Sequence, residues 1–325
     1  MGSPYGVRGL AWEDRAMLDA DLIPLAGGWS GRTFLAQAGE ERTVVRLYPP
    51  EPIDAPARDA AVLAYARQVL AGVAEVPAVL EVRAGDAGRD RPGLVVTPFL
   101  PGERGDLVTP GLADDALVAL AERLADVLDA LSGSRQPRTG VFADATLTLD
   151  PLPEPFDGDG LPDLLDVLAP ALVTHVGERA LAGLAPVCRR AQDLLDDDLA
   201  ARPGACLVHS DLNPKNLLLG PAGADGGDPA LVVLDWEYAH AGGRWTDPGN
   251  LLRFERREAF VDALAGRLAA DRGLPASEVL DLARAADLTA LLELASRAEA
   301  NPVATRAADR LRTIAETGDL HASGG

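Results

Sequence analysis

Apolar residues recur at two different periods along the chain, and the change falls near residue 100. Before it, short runs alternate with turn residues: LIPLAGG, RTFLAQAG and RTVVRLYPP, then AVLEVRAG and RPGLVVTPFLPG. Runs of Val, Leu and Thr bounded by Gly or Pro predict strands. Between the third and fourth, APARDAAVLAYARQVLAG is rich in Ala and Leu and stops at Gly72, which predicts a helix. The first part therefore reads as a small antiparallel sheet carrying one helix. The turn-rich PGERGD that follows marks a boundary between residues 1–101 and residues 102–325.

Beyond it the period becomes helical. Leu117, Leu120, Leu124, Val127 and Leu131 step by three and four residues and stop before Gly133, as on one face of an amphipathic helix. Residues 133–160, rich in Pro, Gly and Asp, read as a long ordered loop or partial lid. Helical patterns resume over 161–200, 257–270, 276–297 and 302–317. The last has Asn301 as its N-cap, Pro302 in its first turn and Gly318 just past its end. In the middle, CLVHSD, NLLLG and PALVVLDWE read as short buried strands, with PAGADGGD as the turn of a hairpin between the last two. The expected class is α+β. The tail HASGG is expected to fray, and no internal repeat is present.

Composition narrows the functions. Hydrophobic residues make up 47% and charged residues 25% of 325 residues, enough for a sizeable core in one large domain or two lobes. Thirty basic against fifty acidic residues give a net charge of −20, which disfavours nucleic acid or an anionic membrane as the main partner. The same charge attracts a cationic small molecule and keeps the protein soluble. Two cysteines, Cys188 and Cys206, form neither a disulfide framework nor a zinc cluster, and read as inert buried thiols in a reducing compartment. The start has no basic segment leading into an apolar one, and no run approaches ~18 apolar residues, so a cytoplasmic protein is expected.

Candidate chemistry concentrates in LVHSDLNPKNLLL, residues 207–219. If 216–219 pairs antiparallel with 231–235, Asn216 comes beside Asp235, with Asp211 just upstream. Two carboxylates and an amide make a hard-oxygen set suited to Mg²⁺. It is a poor zinc site, because only His209 is at hand. His-x-Asp-x-x-x-x-Asn followed by a strand ending in Asp supplies two metal-binding groups and one base, the set needed for phosphoryl transfer from a nucleotide.

On these residues the sequence resembles the aminoglycoside phosphotransferase and choline kinase-like family, small-molecule kinases related to the protein kinases. The resemblance is densest over 205–255 and extends to 23–102. It implies a two-lobed protein-kinase-like fold: a nucleotide-binding lobe over 1–101, and a larger, mainly helical catalytic and substrate-binding lobe over 102–325 carrying the hairpin. It makes Asp211 the catalytic base, Asn216 and Asp235 the Mg²⁺ ligands, and His209 a structural brace. Asp247, in DWEYAHAGGRWTDPGNLLRFE, takes a stabilising role.

The phosphate-holding side follows the same resemblance. Gly27, Gly28, Ser30 and Gly31 in LAGGWSGRTFLA lie between two strand-like runs, where backbone N–H groups approach phosphate oxygens, although a plain hairpin turn has the same composition. Arg46 stands where protein kinases carry lysine, and its guanidinium can grip phosphate or face solvent. Asp59 offers a carboxylate to pair with it, one methylene shorter than the usual Glu. Around Pro98, Phe99 and Leu100 the backbone would border the adenine; Pro98 has no N–H, so Leu100 is the expected donor. Lys215, the sole lysine, and Glu237 are candidates for phosphate or substrate contact, and His240 follows closely.

The expected reaction is transfer of the γ-phosphoryl of ATP or GTP to a hydroxyl of a small molecule, an aminoglycoside-type or other antibiotic among the candidates. Net acidity, with Glu255, Glu258 and Asp262 after NLLRF, favours a cationic acceptor. A Walker P-loop is excluded because Lys215 lies between Pro214 and Asn216. A Schiff base on Lys215 lacks a glycine-rich phosphate cup. A nucleotide-binding pseudokinase or a metal-dependent hydrolase using His209, Asp211 and Asp235 remain as alternatives.

Overall fold

The computed structural model describes residues 21–25, 33–220, 230–298 and 301–322. The chain packs as two compact units. One comprises Met1–Gly105, Phe142–Thr148 and Asn216–Glu237; the other comprises Asp106–Val141, Leu149–Lys215 and Tyr238–Gly325.

In the first unit, β1 (Asp21–Pro24), β2 (Thr33–Ala38), β3 (Glu41–Tyr48), β4 (Glu81–Arg83) and β5 (Gly93–Pro98) form an antiparallel sheet in the order β1-β2-β3-β5-β4. Strand alternation gives β3 two different faces. Val45 and Leu47 join Ala36, Leu94 and Val96 on one side. Tyr48 joins Val95 on the other, where helix α1 (Ala55–Val69) covers them with Ala55 and Ala60. Arg46, two residues before Tyr48, belongs to this helix-bearing face. A proline in the first turn of α1 pre-sets the helical φ.

A second sheet of the same unit carries the hairpin. It consists of β6 (Glu103–Arg104), β11 (Leu217–Leu219) and β12 (Leu231–Val233), in the order β12-β11-β6. Leu217 pairs with Val233 and Leu219 with Leu231. Glu75, in the segment after α1, donates its N–H to Leu231 O (2.8 Å) and accepts from Val233 N (2.9 Å), so the hairpin is stitched to the chain that follows the helix.

The second unit has a sheet of β7 (Arg135–Gln136), β8 (Gly140–Phe142), β9 (Leu149–Asp150), β10 (Ala205–Val208) and β13 (His240–Gly242), in the order β7-β10-β13-β8-β9. Residues 133–160 are therefore not a plain loop or lid: three short strands within them complete this sheet. Helix α2 (Asp114–Gly133) buries Leu117, Leu120, Leu124, Val127 and Leu131, the predicted stripe, and Leu128 beside them. The helical patterns expected over 161–200 form two helices, α3 (Leu161–Val176) and α4 (Glu178–Ala201), parted at Gly177, which adopts φ +85°. Helices α5 (Thr246–Phe254), α6 (Glu258–Arg272), α7 (Ala276–Ala295) and α8 (Pro302–Thr317) follow, and α6 packs along α2. Leu165, Leu172, Leu184, Val187, Leu288, Leu292, Leu311 and Ile314 join α3, α4, α7 and α8 in one core. Each such buried side chain contributes about 2 kcal/mol. The α8 caps are as the sequence predicts: Asn301 accepts from Val303 N (2.9 Å) and Ala304 N (3.0 Å), and Gly318 has φ +71°.

Helix α5 lies against α7 at Gly249. A Cβ there would meet the Ala283 carbonyl oxygen at 2.4 Å and Asp287 Cβ at 3.0 Å, so the two backbones touch only because the side chain is missing. Gly249→Val is expected to cost about 1–3 kcal/mol, the range for overpacking a fixed core. Urea denaturation checks this, and an unchanged midpoint would show that α5 is free to move. Among the described residues no helix is long and apolar enough to cross a membrane.

Candidate active site

Two carboxylates, one amide and one guanidinium organise the polar end of the hairpin in the first unit. The β11–β12 register carries Asn216 opposite Leu234, whose N–H donates to Asn216 O at 2.8 Å, so Asp235 is the next residue along. Asn216 is buried at 7% exposure, and Asp235 adopts φ +61°, a left-handed conformation that Asp tolerates better than most residues. Arg46 on β3 reaches this end: Nη1 donates to Asp235 Oδ1 at 3.1 Å and Nη2 to Glu237 Oε2. Burial alone would lower the Arg46 pKa, but Tyr48, Glu237 and Asp235 together outweigh it and hold the guanidinium firmly charged. Burial, and repulsion from Asp235, raise the Glu237 carboxyl above its usual range while Arg46 draws it back.

The sequence suggested Asp59 as a partner for Arg46. The hydrogen bonds of Asp59 run elsewhere: Oδ2 accepts from Tyr48 Oη (2.9 Å), and Oδ1 from Arg58 Nε (3.0 Å) and Nη2 (2.9 Å). Tyr48 stands between the two groups, its ring 5.5 Å from the Arg46 guanidinium carbon, so the shorter acid reaches the arginine through an aromatic spacer. Burial and the Asp59 charge push the Tyr48 phenol well above its usual pKa, keeping it a donor. Pro98 closes β5 opposite Thr43; Phe99 N donates to Arg42 O at 3.1 Å and Leu100 follows. Gly28, Ser30 and Gly31 lie outside the described residues.

In the second unit, β10 delivers His209, Ser210 and Asp211 into a loop held by α5. Asp247, 4% exposed, accepts from His209 N (Oδ2, 2.8 Å) and Ser210 N (Oδ1, 2.8 Å). Burial pushes its carboxyl up, and His209 and the two amides pull it back. Ser210 has φ +71°, and Asn250 on α5 donates to its carbonyl. Strain at Ser210 is thus fixed from both sides of the residue before Asp211. His209 is fully buried and accepts from Asp211 N through Nδ1 at 3.3 Å. Asn213, 4% exposed, donates to Asp211 Oδ1 at 2.7 Å and to Asp211 O at 3.0 Å, and accepts from Lys215 N at 2.9 Å. Lys215 itself is exposed. His240 bonds Tyr238 O at 3.1 Å through Nδ1, and burial lowers its pKa.

Tyr48, Asn213 and Asn250 were not among the residues singled out from the sequence. Two signals were present: Tyr48 is two residues from Arg46 on one strand face, and Asn213 is two residues from Asp211, the spacing of an Asx turn. As a metal site, the donors Asn216 and Asp235 are oxygen only, which fits Mg²⁺ rather than zinc. No cluster of three or more His, Cys, Asp or Glu able to hold a metal is present among the described residues.

Comparison with known proteins follows this geometry. The profile of the phosphotransferase enzyme family matches residues 21–288. Comparison with curated proteins finds no match. Among solved structures, the chain is similar to a microcompartment-associated aminopropanol kinase (TM-score 0.62, 19% identity, 92% of each chain covered). It is similar to a thermostable mutant of aminoglycoside phosphotransferase APH(4)-Ia in complex with ADP and hygromycin B (TM-score 0.61, 20% identity, 94% of this chain and 97% of that one). It is also similar to the choline kinase LicA from Streptococcus pneumoniae (TM-score 0.55, 14% identity, 94% and 96%). At these identities the structures establish the fold, two-lobed and α+β. The match over residues 21–288 establishes the family: the chain belongs to the phosphotransferase enzyme family.

Proposed function

We propose that the chain transfers the γ-phosphoryl group of ATP or GTP to a hydroxyl of a small cationic molecule, an amino alcohol or aminoglycoside. The observation that carries this reading is the hairpin register that places Asn216 and Asp235 at one end of β11–β12, with Arg46 on Asp235. In this reading Asp211 accepts the proton of the acceptor hydroxyl as its oxygen bonds to the γ-phosphorus. The bond from that phosphorus to the β–γ bridging oxygen breaks and the nucleoside diphosphate leaves. Asn213, donating to Asp211 Oδ1, orients the carboxylate. Asn216 and Asp235 hold Mg²⁺, which when bound neutralises charge on the phosphate oxygens. Arg46 and the glycine-bearing segment around Gly28, Ser30 and Gly31 hold phosphate, and the backbone near Leu100 borders the base. The lobe over 1–101 accordingly binds nucleotide, and the remainder carries the base and the acceptor.

The cationic acceptor is supported by the net charge of −20 and by a chemistry shared among the similar structures. Aminopropanol, choline and aminoglycosides each join a hydroxyl to a positively charged nitrogen. The test is release of ADP or GDP across a panel of amino alcohols, aminoglycosides, other antibiotics, nucleosides and neutral sugars. The expected result is release stimulated by members of the first two classes. Nucleotide binding without turnover on any acceptor would instead mark a pseudokinase, and metal-dependent hydrolysis without nucleotide would mark a hydrolase.

A further inference from the structure

Behind the Asp211 loop, the second unit holds an ion-pair chain that packing alone does not account for. Asp287 on α7 is 2% exposed and sits between two guanidinium groups: Arg310 Nη1 on α8 lies 3.2 Å from Oδ2, and Arg253 Nη1 on α5 lies 3.5 Å from Oδ1. Arg253 Nη2 donates to Asn250 Oδ1, and Asn250 Nδ2 donates to the Ser210 carbonyl. The chain thus runs from α8 to the residue before Asp211: Arg310, Asp287, Arg253, Asn250, Ser210.

This is an expensive way to fill a core. Arg284, 5% exposed, donates to Leu252 O beside the chain, so two buried arginines and a partly buried third are gathered about one buried aspartate. Arg253 Nε and Nη1, Arg284 Nε, and Arg310 Nε and Nη2 are buried and have no hydrogen-bond partner among the described residues. Burial, with repulsion from Arg310 and Arg256, pushes Arg284 down to about 10; burial also lowers Arg310, against the pull of Asp287. Apolar side chains of similar volume commonly replace such ion triads without loss of stability. The geometry supplies a different reason for the charges. Asn250 must present its amide N–H to Ser210, and a donor on its Oδ1 fixes which way that amide faces. Arg253 is that donor, and Asp287 with Arg310 fixes Arg253.

We propose that Asn250 and Arg253 are positioning residues for Asp211, and that Asp287 and Arg310 orient them, making α8 part of the apparatus that aims the catalytic loop. The inference rests on the reading of Asp211 as the base. Its direct readout is the protection of the His209 and Ser210 amides, which hydrogen bond to Asp247 when the loop is in place. The experiment replaces the triad as a whole in the full-length chain, Arg253→Met with Asp287→Leu and Arg310→Met. A second variant, Asn250→Asp, keeps the shape and the acceptor for Arg253 but has no N–H to give Ser210.

Both variants are expected to keep the parent melting temperature within a few degrees and the protection of α3 and α4. Amide exchange at residues 209 and 210 should rise about tenfold or more. With an acceptor from the screen, kcat should fall about 10- to 100-fold with little change in KM for nucleotide, the cost of a loop misplaced by about an ångström. If the triple variant fails to fold, Asn250→Asp decides alone. Unchanged protection at 209 and 210 overturns the inference whatever the rate. Exchange raised equally in α3 and α4 overturns it in favour of a merely structural role. Local exchange raised with the parent kcat overturns the base assignment of Asp211, and the positioning role with it.

Discussion

Asp211→Asn is expected to lower phosphoryl transfer about 10²- to 10⁴-fold, the usual contribution of a positioned general base, while melting temperature and nucleotide affinity remain those of the parent. Asparagine is the informative replacement because the site tolerates its shape. Asn213 donates to Asp211 Oδ1, and an amide oxygen can accept the same bond, so the loop keeps its fastening and loses only the basic oxygen. A variant that turned over at the parent rate would remove Asp211 from the chemistry. A variant that lost rate and melting temperature together would make it a loop fastener instead.

The second large effect is expected at Asp235. Its φ of +61° makes alanine a poor probe, because a Cβ-bearing residue without a short polar side chain is strained there; asparagine is not. Asp235→Asn removes one negative charge from the oxygen set; its amide oxygen can still accept from Arg46, whose charged partner is then Glu237. Divalent-dependent nucleotide affinity should fall at least about tenfold, since even groups that only orient metal ligands cost 10- to 100-fold when removed. Calorimetry of ATP binding with and without Mg²⁺ reads this directly. Equal affinity in parent and variant would sink the metal role.

What could be read from the sequence follows from length and regularity. Helix α8 was legible to the residue because an N-cap, an early proline and a terminal glycine agree with its apolar period. Helix α5 was not, because Asp247, Pro248, Gly249 and Asn250 are all buried and erase the amphipathic pattern. Strands β7, β9 and β13 have two or three residues each, too few to show a period of two; β7 and β13 exist because β10 needs neighbours, and β9 extends the sheet beyond β8. The juxtaposition of Asn216 and Asp235 was legible because an antiparallel hairpin fixes its own register. The partners of Arg46 were not. Asp235 is 189 residues away along the chain, and that contact depends on Glu75 tying the hairpin beside α1. Asp59 follows the same logic: sequence gave its place on the helix, while the intervening Tyr48 ring decides what it touches.

The phosphorus spectrum of the products is the most direct test of the account. The parent enzyme, Mg²⁺, ATP and an acceptor from the screen should yield a phosphate monoester in amounts equal to the ADP formed, and Asp211→Asn should yield it at a rate at least about 100-fold lower. Orthophosphate as the sole new product, or monoester formed equally fast by the variant, would contradict it.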